Sequence, residues 1–200
     1  EYSITQTGYN DFFTGSNLER RAETFFENPS DSLTEWPNVG LDYALAAIFG
    51  EYLAEQYGAD LLRESLQTNL FGIPSINGIL TGRGISERFT DVFAGWLAAS
   101  YINDNSVNSK FGYARLGLKN FKTPSQRLTI LSGSESSVFD YYLKPWQVYG
   151  HKFLVSGSFA GNKAIKLSPA YNSKFAYADN LGRFNIVDKD FYVNDPGGLQ

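Results

Sequence analysis

The sequence predicts an α+β protein in which an all-α half precedes an antiparallel β half, and three observations carry that expectation. Apolar residues recur at helical spacing to about residue 105. After Asn103-Asp104-Asn105 the period falls to two. The later apolar runs are short and separated by Gly, Ser, Asn or Pro, roughly 8–12 residues apart, the pattern of an antiparallel sandwich or a partial jelly roll. The link Lys119–Gln126 is the expected boundary, giving a helical subdomain over 1–118 and a β domain over 119–200.

Asn17 is placed to cap a helix over Leu18–Asn28, whose Leu18, Ala22, Phe25 and Phe26 share one face, and Pro29 ends it. Ser30 is expected to cap a short turn carrying Leu33 and Trp36, stopped by Pro37. The longest helix should run from Val39 to Tyr57, with Leu41, Ala44, Leu45, Ile48, Phe49, Tyr52 and Leu53 in a wide stripe and Gly58 as a left-handed stop. Each fully buried Leu, Ile or Phe there contributes about 1.5–3 kcal/mol. Helix propensities differ by only ~0.7 kcal/mol among ordinary residues. Packing should therefore hold this helix, at the centre of its half.

Ala59–Asn69 repeats the pattern through Leu61, Leu62, Ser65 and Leu66. Ile73-Pro74 opens another helix, with Pro74 in its first turn and Ile76, Ile79 and Leu80 turned inward. Ser86 starts a last helix, Glu87–Ile102, that buries Phe89, Val92, Phe93, Trp96, Leu97 and Tyr101. Gly50 and Gly95 lie inside helices at a cost of ~1 kcal/mol each against alanine, which predicts close helix contacts at both. The β runs are Leu128–Leu131, Val138–Leu143, Tyr149–Gly157, Lys163–Ser168, Phe175–Tyr177 and Phe184–Val187.

Composition narrows the chemistry. His151 is the only histidine and there is no cysteine. An imidazole metal site needs two or three histidines, a thiolate site needs cysteines, and a Ser-His-Asp relay would have to run through His151 alone. Net charge −4, with no basic run longer than Arg20-Arg21, argues against nucleic acid. No stretch reaches the roughly 18–20 apolar residues of a membrane span. The chain starts at Glu1 with no signal-like segment and contains no Met, as expected either of a piece of a longer precursor or of a trimmed but complete domain.

Several ordered segments resemble a known family. Asp31-Ser32-Leu33-Thr34-Glu35-Trp36 is followed by Tyr43 opening Tyr43–Leu53, then by Gly72-Ile73-Pro74-Ser75-Ile76. A late helix, Phe93–Tyr101, leads through Asn103–Asn105 to Gly112-Tyr113. Over residues 9–118 this resembles the helical C-terminal subdomain of hyicolysin-like zinc metallopeptidases, of the gluzincin group. The resemblance implies a hydrolase whose zinc lies on an H-E-x-x-H helix, two imidazoles one turn apart with a glutamate activating water. This chain cannot contain that motif. The third ligand of such enzymes is a glutamate in an N-E-G-x-x-E-Y-like helix, and Glu1-Tyr2, with Gly8-Tyr9 after it, looks like the tail of that segment. The ligand itself would precede Glu1 by about four residues; Glu1 as the ligand is the alternative. The H-E-x-x-H motif is expected about 25–40 residues before Glu1.

By that resemblance, zinc belongs to the complete parent enzyme and none is bound by this chain. The partners are the missing N-terminal catalytic subdomain and a peptide or protein substrate, and the location is extracellular or at the cell surface. Tyr43 is the candidate site residue. In related enzymes a tyrosine at a helix start on the far wall of the cleft donates its hydroxyl to the tetrahedral oxyanion, while the competing reading is a packing tyrosine in an apolar stripe. Asp42 either orients the cleft or favours the helix N-terminus through the dipole. His151 in its β run reads as a surface or cross-strand residue. Asn103, Asp104 and Asn105 could offer oxygen to calcium, but they lack regular acid spacing and read better as a solvated loop. Tyr141, Tyr142, Trp146 and Tyr149 either stack on sugars or belong to the sandwich core. The alternative to a peptidase part is therefore a non-catalytic protein- or carbohydrate-binding or adhesion module.

Overall fold

Helical spacing becomes helix in the first half. The computed structural model describes residues 14–114, 118–121, 123, 127–131, 142–155, 164–169, 174–178 and 182–194. The helices are α1 (Asn17–Glu27), α2 (Gly40–Tyr57), α3 (Ala59–Gln67), α4 (Gly72–Gly82) and α5 (Phe89–Ile102). The strands are β1 (Arg127–Leu131), β2 (His151–Val155), β3 (Ala164–Leu167), β4 (Phe175–Ala178), β5 (Phe184–Val187) and β6 (Phe191–Asn194). The chain is a mixed α+β protein.

It divides into two compact units, Glu1–Pro124 with Lys144–Val148, and Ser125–Leu143 with Tyr149–Gln200. A single cut after residue 118 does not describe this, because five residues from the later half belong to the helical unit.

In the helical unit one core gathers Leu18, Phe25 and Phe26 of α1, Leu45, Ile48 and Tyr52 of α2, and Phe89, Phe93 and Trp96 of α5. The Trp96 ring is 1% exposed, stacks on Phe25 at 5.2 Å and takes the edge of Phe49 at 5.0 Å. Several boundaries differ from expectation for local reasons. Ser16 caps α1, its hydroxyl accepting the Glu19 amide at 3.1 Å, so Asn17 is the first helical residue. Helices α2 to α5 all start at residues that make no side-chain capping bond, and two of these starts, those of α2 and α5, are secured from inside the helix. Asp42 and Asp91 instead reach back to the amides of Val39 and Arg88, at 2.7 and 2.8 Å. This supplies one half of a capping box.

Ser30 caps nothing: its hydroxyl donates to the Val148 carbonyl at 2.7 Å. Leu66 is 87% exposed because α3 ends at Gln67 and packs through Leu61. Gly95 does mark a close contact, since an added Cβ would lie 2.6 Å from the Tyr52 hydroxyl. Gly50 does not, as a Cβ there would meet nothing within 4 Å.

The β unit holds three two-stranded pairings among the described residues. β4 and β5 form an antiparallel hairpin, Phe175 opposite Val187 and Ala178 opposite Phe184, and β3 pairs antiparallel with β6, Ala164 opposite Asn194. β1 and β2 are parallel, Arg127 beside His151, which departs from the all-antiparallel expectation. Parallel neighbours need a long connection, here residues 132–150. Phe191–Asn194 pairs without having been expected, because its short run beside Asp-rich turns carries little alternation. Most of the expected strand Val138–Leu143 lies outside the described residues, as do Glu1-Tyr2 and Gly8-Tyr9. No helix among the described residues is long and apolar enough to cross a membrane.

Candidate functional site

Tyr43 occupies the first turn of α2, one residue after the aspartate that secures the helix start. Its side chain points outward, 41% exposed, whereas Ala44 and Leu45 beside it are buried. Four contacts shape its surroundings. The hydroxyl donates to Asn38 Oδ1 at 2.7 Å. The Trp36 ring, itself 53% exposed, meets the Tyr43 ring edge-on at 5.0 Å. Arg21, from α1, holds its guanidinium carbon 4.9 Å from the ring centroid, a cation–π contact. Arg21 Nη1 also donates to the Gly40 carbonyl at 3.4 Å.

Asn38 has a left-handed backbone, φ 65°. Asparagine tolerates this region better than most residues. It turns the chain between Pro37 and Val39 so that its amide oxygen faces the tyrosine. The corner therefore presents one phenol donor beside an exposed indole and a cation.

Asp42 is 3% exposed. Its Oδ2 accepts the Val39 amide, while Oδ1 has no hydrogen-bond partner. It serves the helix start.

The loop after α5 is structural. Asn103, buried and left-handed at φ 42°, donates from Nδ2 to the carbonyls of Leu118 and Phe121 at 2.7 and 2.6 Å and accepts the Tyr113 amide at 3.1 Å. Asp104 Oδ1 accepts from the amide and hydroxyl of Ser106. These oxygens bind the loop to itself. Gly112 permits the close approach, since a Cβ would fall 2.7 Å from Asn105 Oδ1.

Trp146 is no exposed sugar platform. It packs edge-on against Phe89 at 4.7 Å and Phe93 at 5.2 Å, within the helical unit. Its φ of 54° is a left-handed conformation costing a non-glycine residue about 1–3 kcal/mol, offset here by that burial. Tyr142 is 94% exposed, Tyr149 is half-buried, and Tyr141 lies outside the described residues. His151 is half-buried in β2.

A second polar cluster escaped the sequence. Tyr57 donates to Glu87 Oε2 at 3.1 Å, Lys110 pairs with Glu87 Oε1, and the Lys110 ammonium lies 5.5 Å from the Tyr57 ring centroid. Burial, with Tyr52 and Glu87 close by, pushes the Tyr57 phenol well above its ordinary range. It ties three separate segments together. An open pocket of about 560 Å³ is lined by Glu55, Gln56, Asn105, Ser109 and Ala114, none of them in the Tyr43 corner. Glu55 there accepts the Ala114 amide and Gln56 donates to the Ser109 carbonyl, so both side chains join chain segments.

Of the corner's members, only Tyr43 and Asp42 were singled out as site residues from the sequence. The Pro37-Asn38 turn was a readable signal for Asn38, whereas Arg21 joins from another helix and left none. Comparison with protein-family models, with characterised proteins and with solved structures found no match to this chain.

Proposed function

We propose that this chain is the C-terminal, specificity-wall portion of a zinc endopeptidase of the gluzincin kind, with Tyr43 as its oxyanion donor. One observation above all supports the reading. The Tyr43 hydroxyl stands at an exposed helix start and is engaged by a single side-chain oxygen, Asn38 Oδ1, that a substrate oxyanion can replace. Such a donor, preorganised where charge develops, is worth about 3–4 kcal/mol.

The residues present do not fit zinc. His151 is the one histidine, cysteine is absent, and no group of three or more His, Cys, Asp or Glu that could hold a metal stands among the described residues. On the proposed reading the metal would be held by a preceding catalytic subdomain, the partner of this chain. The tasks left to this chain are to bind the peptide or protein substrate and to hold one proton at the Tyr43 oxygen. The β unit is the accessory domain, a sandwich or partial jelly roll that contains one parallel pair, β1 with β2. The order of the chain supports that: the β4–β5 hairpin falls in sequence between β3 and β6, which pair antiparallel with each other. The reading also implies a secreted or cell-surface protein.

In the full-length protein, Tyr43→Phe should lower kcat by about 10²–10³-fold with KM nearly unchanged, because the lost bond exists mainly in the transition state. The 200-residue chain alone should neither cleave peptides nor hold zinc. Full turnover by Tyr43→Phe, or stoichiometric zinc in the isolated chain with Kd below about a micromolar, refutes the reading. Absence of an upstream H-E-x-x-H leaves a binding module instead.

A further inference from the structure

We propose that Lys144–Val148 is a positioning strap that holds the loop carrying Trp36 and Asn38, and so sets the corner around Tyr43. The chain between α1 and α2 has no helix or strand of its own. Among the described residues, its long-range hydrogen bonds from Ser30 to Glu35 all go to this one five-residue segment. Ser30 donates its hydroxyl to the Val148 carbonyl at 2.7 Å, and Gln147 Nε2 donates to the Ser30 carbonyl at 3.2 Å. Ser32 donates its hydroxyl to the Pro145 carbonyl at 2.6 Å, and the Leu33 amide donates to the Trp146 carbonyl at 3.2 Å. Lys144 pairs with Glu35, next to Trp36, at 2.8 Å.

Ser32 is the hub. Its hydroxyl has a single proton, which goes to Pro145, so its lone pairs face the amides of Thr34 and Glu35 at 3.3 and 3.1 Å. Removing the strap frees that proton to turn elsewhere, and the local turn loses its orientation. The strap is anchored by Trp146 between Phe89 and Phe93 of α5. Trp146 thus acts on the corner through the loop, with no contact to Tyr43 required. The strap itself is independent of any peptidase chemistry; the inference rests on the Tyr43 reading only for what the corner does.

Backbone amide exchange on the 200-residue chain tests this with two variants. Trp146→Ala should speed exchange of the Leu33 and Glu35 amides by about tenfold or more, move the Trp36 indole resonance, and leave mid-α2 amides such as Ile48 unchanged. Trp146→Phe, which keeps a ring in the seat, should restore most of that protection. Ser32→Ala, which removes a hydroxyl and leaves no large cavity, should act in the same direction by about threefold. If Trp146→Ala does not fold, Ser32→Ala decides, read at the Leu33 amide, which donates to the Trp146 carbonyl and not to the Ser32 hydroxyl. Unchanged loop exchange and an unmoved Trp36 signal in Ser32→Ala overturn the strap, as does uniform acceleration of loop and helix amides alike. Tyr43→Phe turnover is a separate measurement, so an inert Tyr43 sinks the oxyanion role and leaves the exchange result standing.

Discussion

The helical unit buries Trp96, Tyr52, Tyr113, Phe25 and Phe111 almost completely, whereas Val187 is the one buried hydrophobic among the described side chains of the β unit. The two halves reach order by different routes. Each helix completes its backbone hydrogen bonds within itself and then needs only a neighbour for its stripe. Each strand depends on a partner that can be far along the chain, as Ala164 depends on Asn194. Local pattern therefore says much about the first half and less about the second.

The largest expected effect tests that contrast directly. Trp96→Ala should destabilise the helical unit by about 3–5 kcal/mol, since the stacked Phe25 and edge-on Phe49 are left around a cavity. Val187→Ala should cost the β unit only about 1–2 kcal/mol, two methyls at ~0.8 kcal/mol each. Urea unfolding, followed by helical circular dichroism for one and by a strand-unit amide probe for the other, compares them. Equal losses would break the distinction between the two cores.

A smaller pair of changes sharpens it within the helices. Gly95→Ala forces a Cβ to 2.6 Å from the Tyr52 hydroxyl and should cost about 1–3 kcal/mol through overpacking. Gly50→Ala meets nothing within 4 Å and should stabilise by about 0.5–1 kcal/mol through backbone entropy alone. Thermal midpoints moving in opposite directions support the assigned contacts; a parallel shift contradicts them.

The smallest effect is electrostatic. The bidentate bond from Arg83, at 2.9 and 3.2 Å, holds Glu64 below the ordinary carboxylate range. A lowered carboxylate contributes stability that is present above its unfolded pKa and is lost as pH falls through its folded one. The stability gap between wild type and Glu64→Gln should therefore be widest near neutrality and close in acid. The pair is solvent-accessible, so the gap should also shrink with salt. A gap that widens on acidification would reverse the assignment.

Much of the helical half was legible from residue spacing. Leu18, Ala22, Phe25 and Phe26 are buried on one face. Gly58 does stop α2, but at φ 86° and ψ 145°, a glycine conformation outside the left-handed helical region expected of it. Boundaries were less legible, because the side chains that start helices are chosen by geometry. Ser16 displaced Asn17, and Asp42 and Asp91 reach backwards. Tyr43 was visible as a helix-start tyrosine, but its exposure was not, since the stripe of α2 has buried residues on both sides of it. Trp146 was placed with the β half by its neighbours in sequence, and packing against Phe89 and Phe93 moved it to the helices.

By itself the sequence determined that helices come first and strands second, and that this chain's own side chains lack the imidazoles and thiolates of a zinc site. Those properties follow from periodicity and composition, which are local or additive. Tertiary structure alone decided that Arg21, Trp36 and Asn38 converge on Tyr43, that β1 and β2 run parallel, and that Lys144–Val148 joins the helical unit. Each joins residues distant in sequence or set by an irregular loop. Their meeting depends on the packing of the whole chain, which no local window contains.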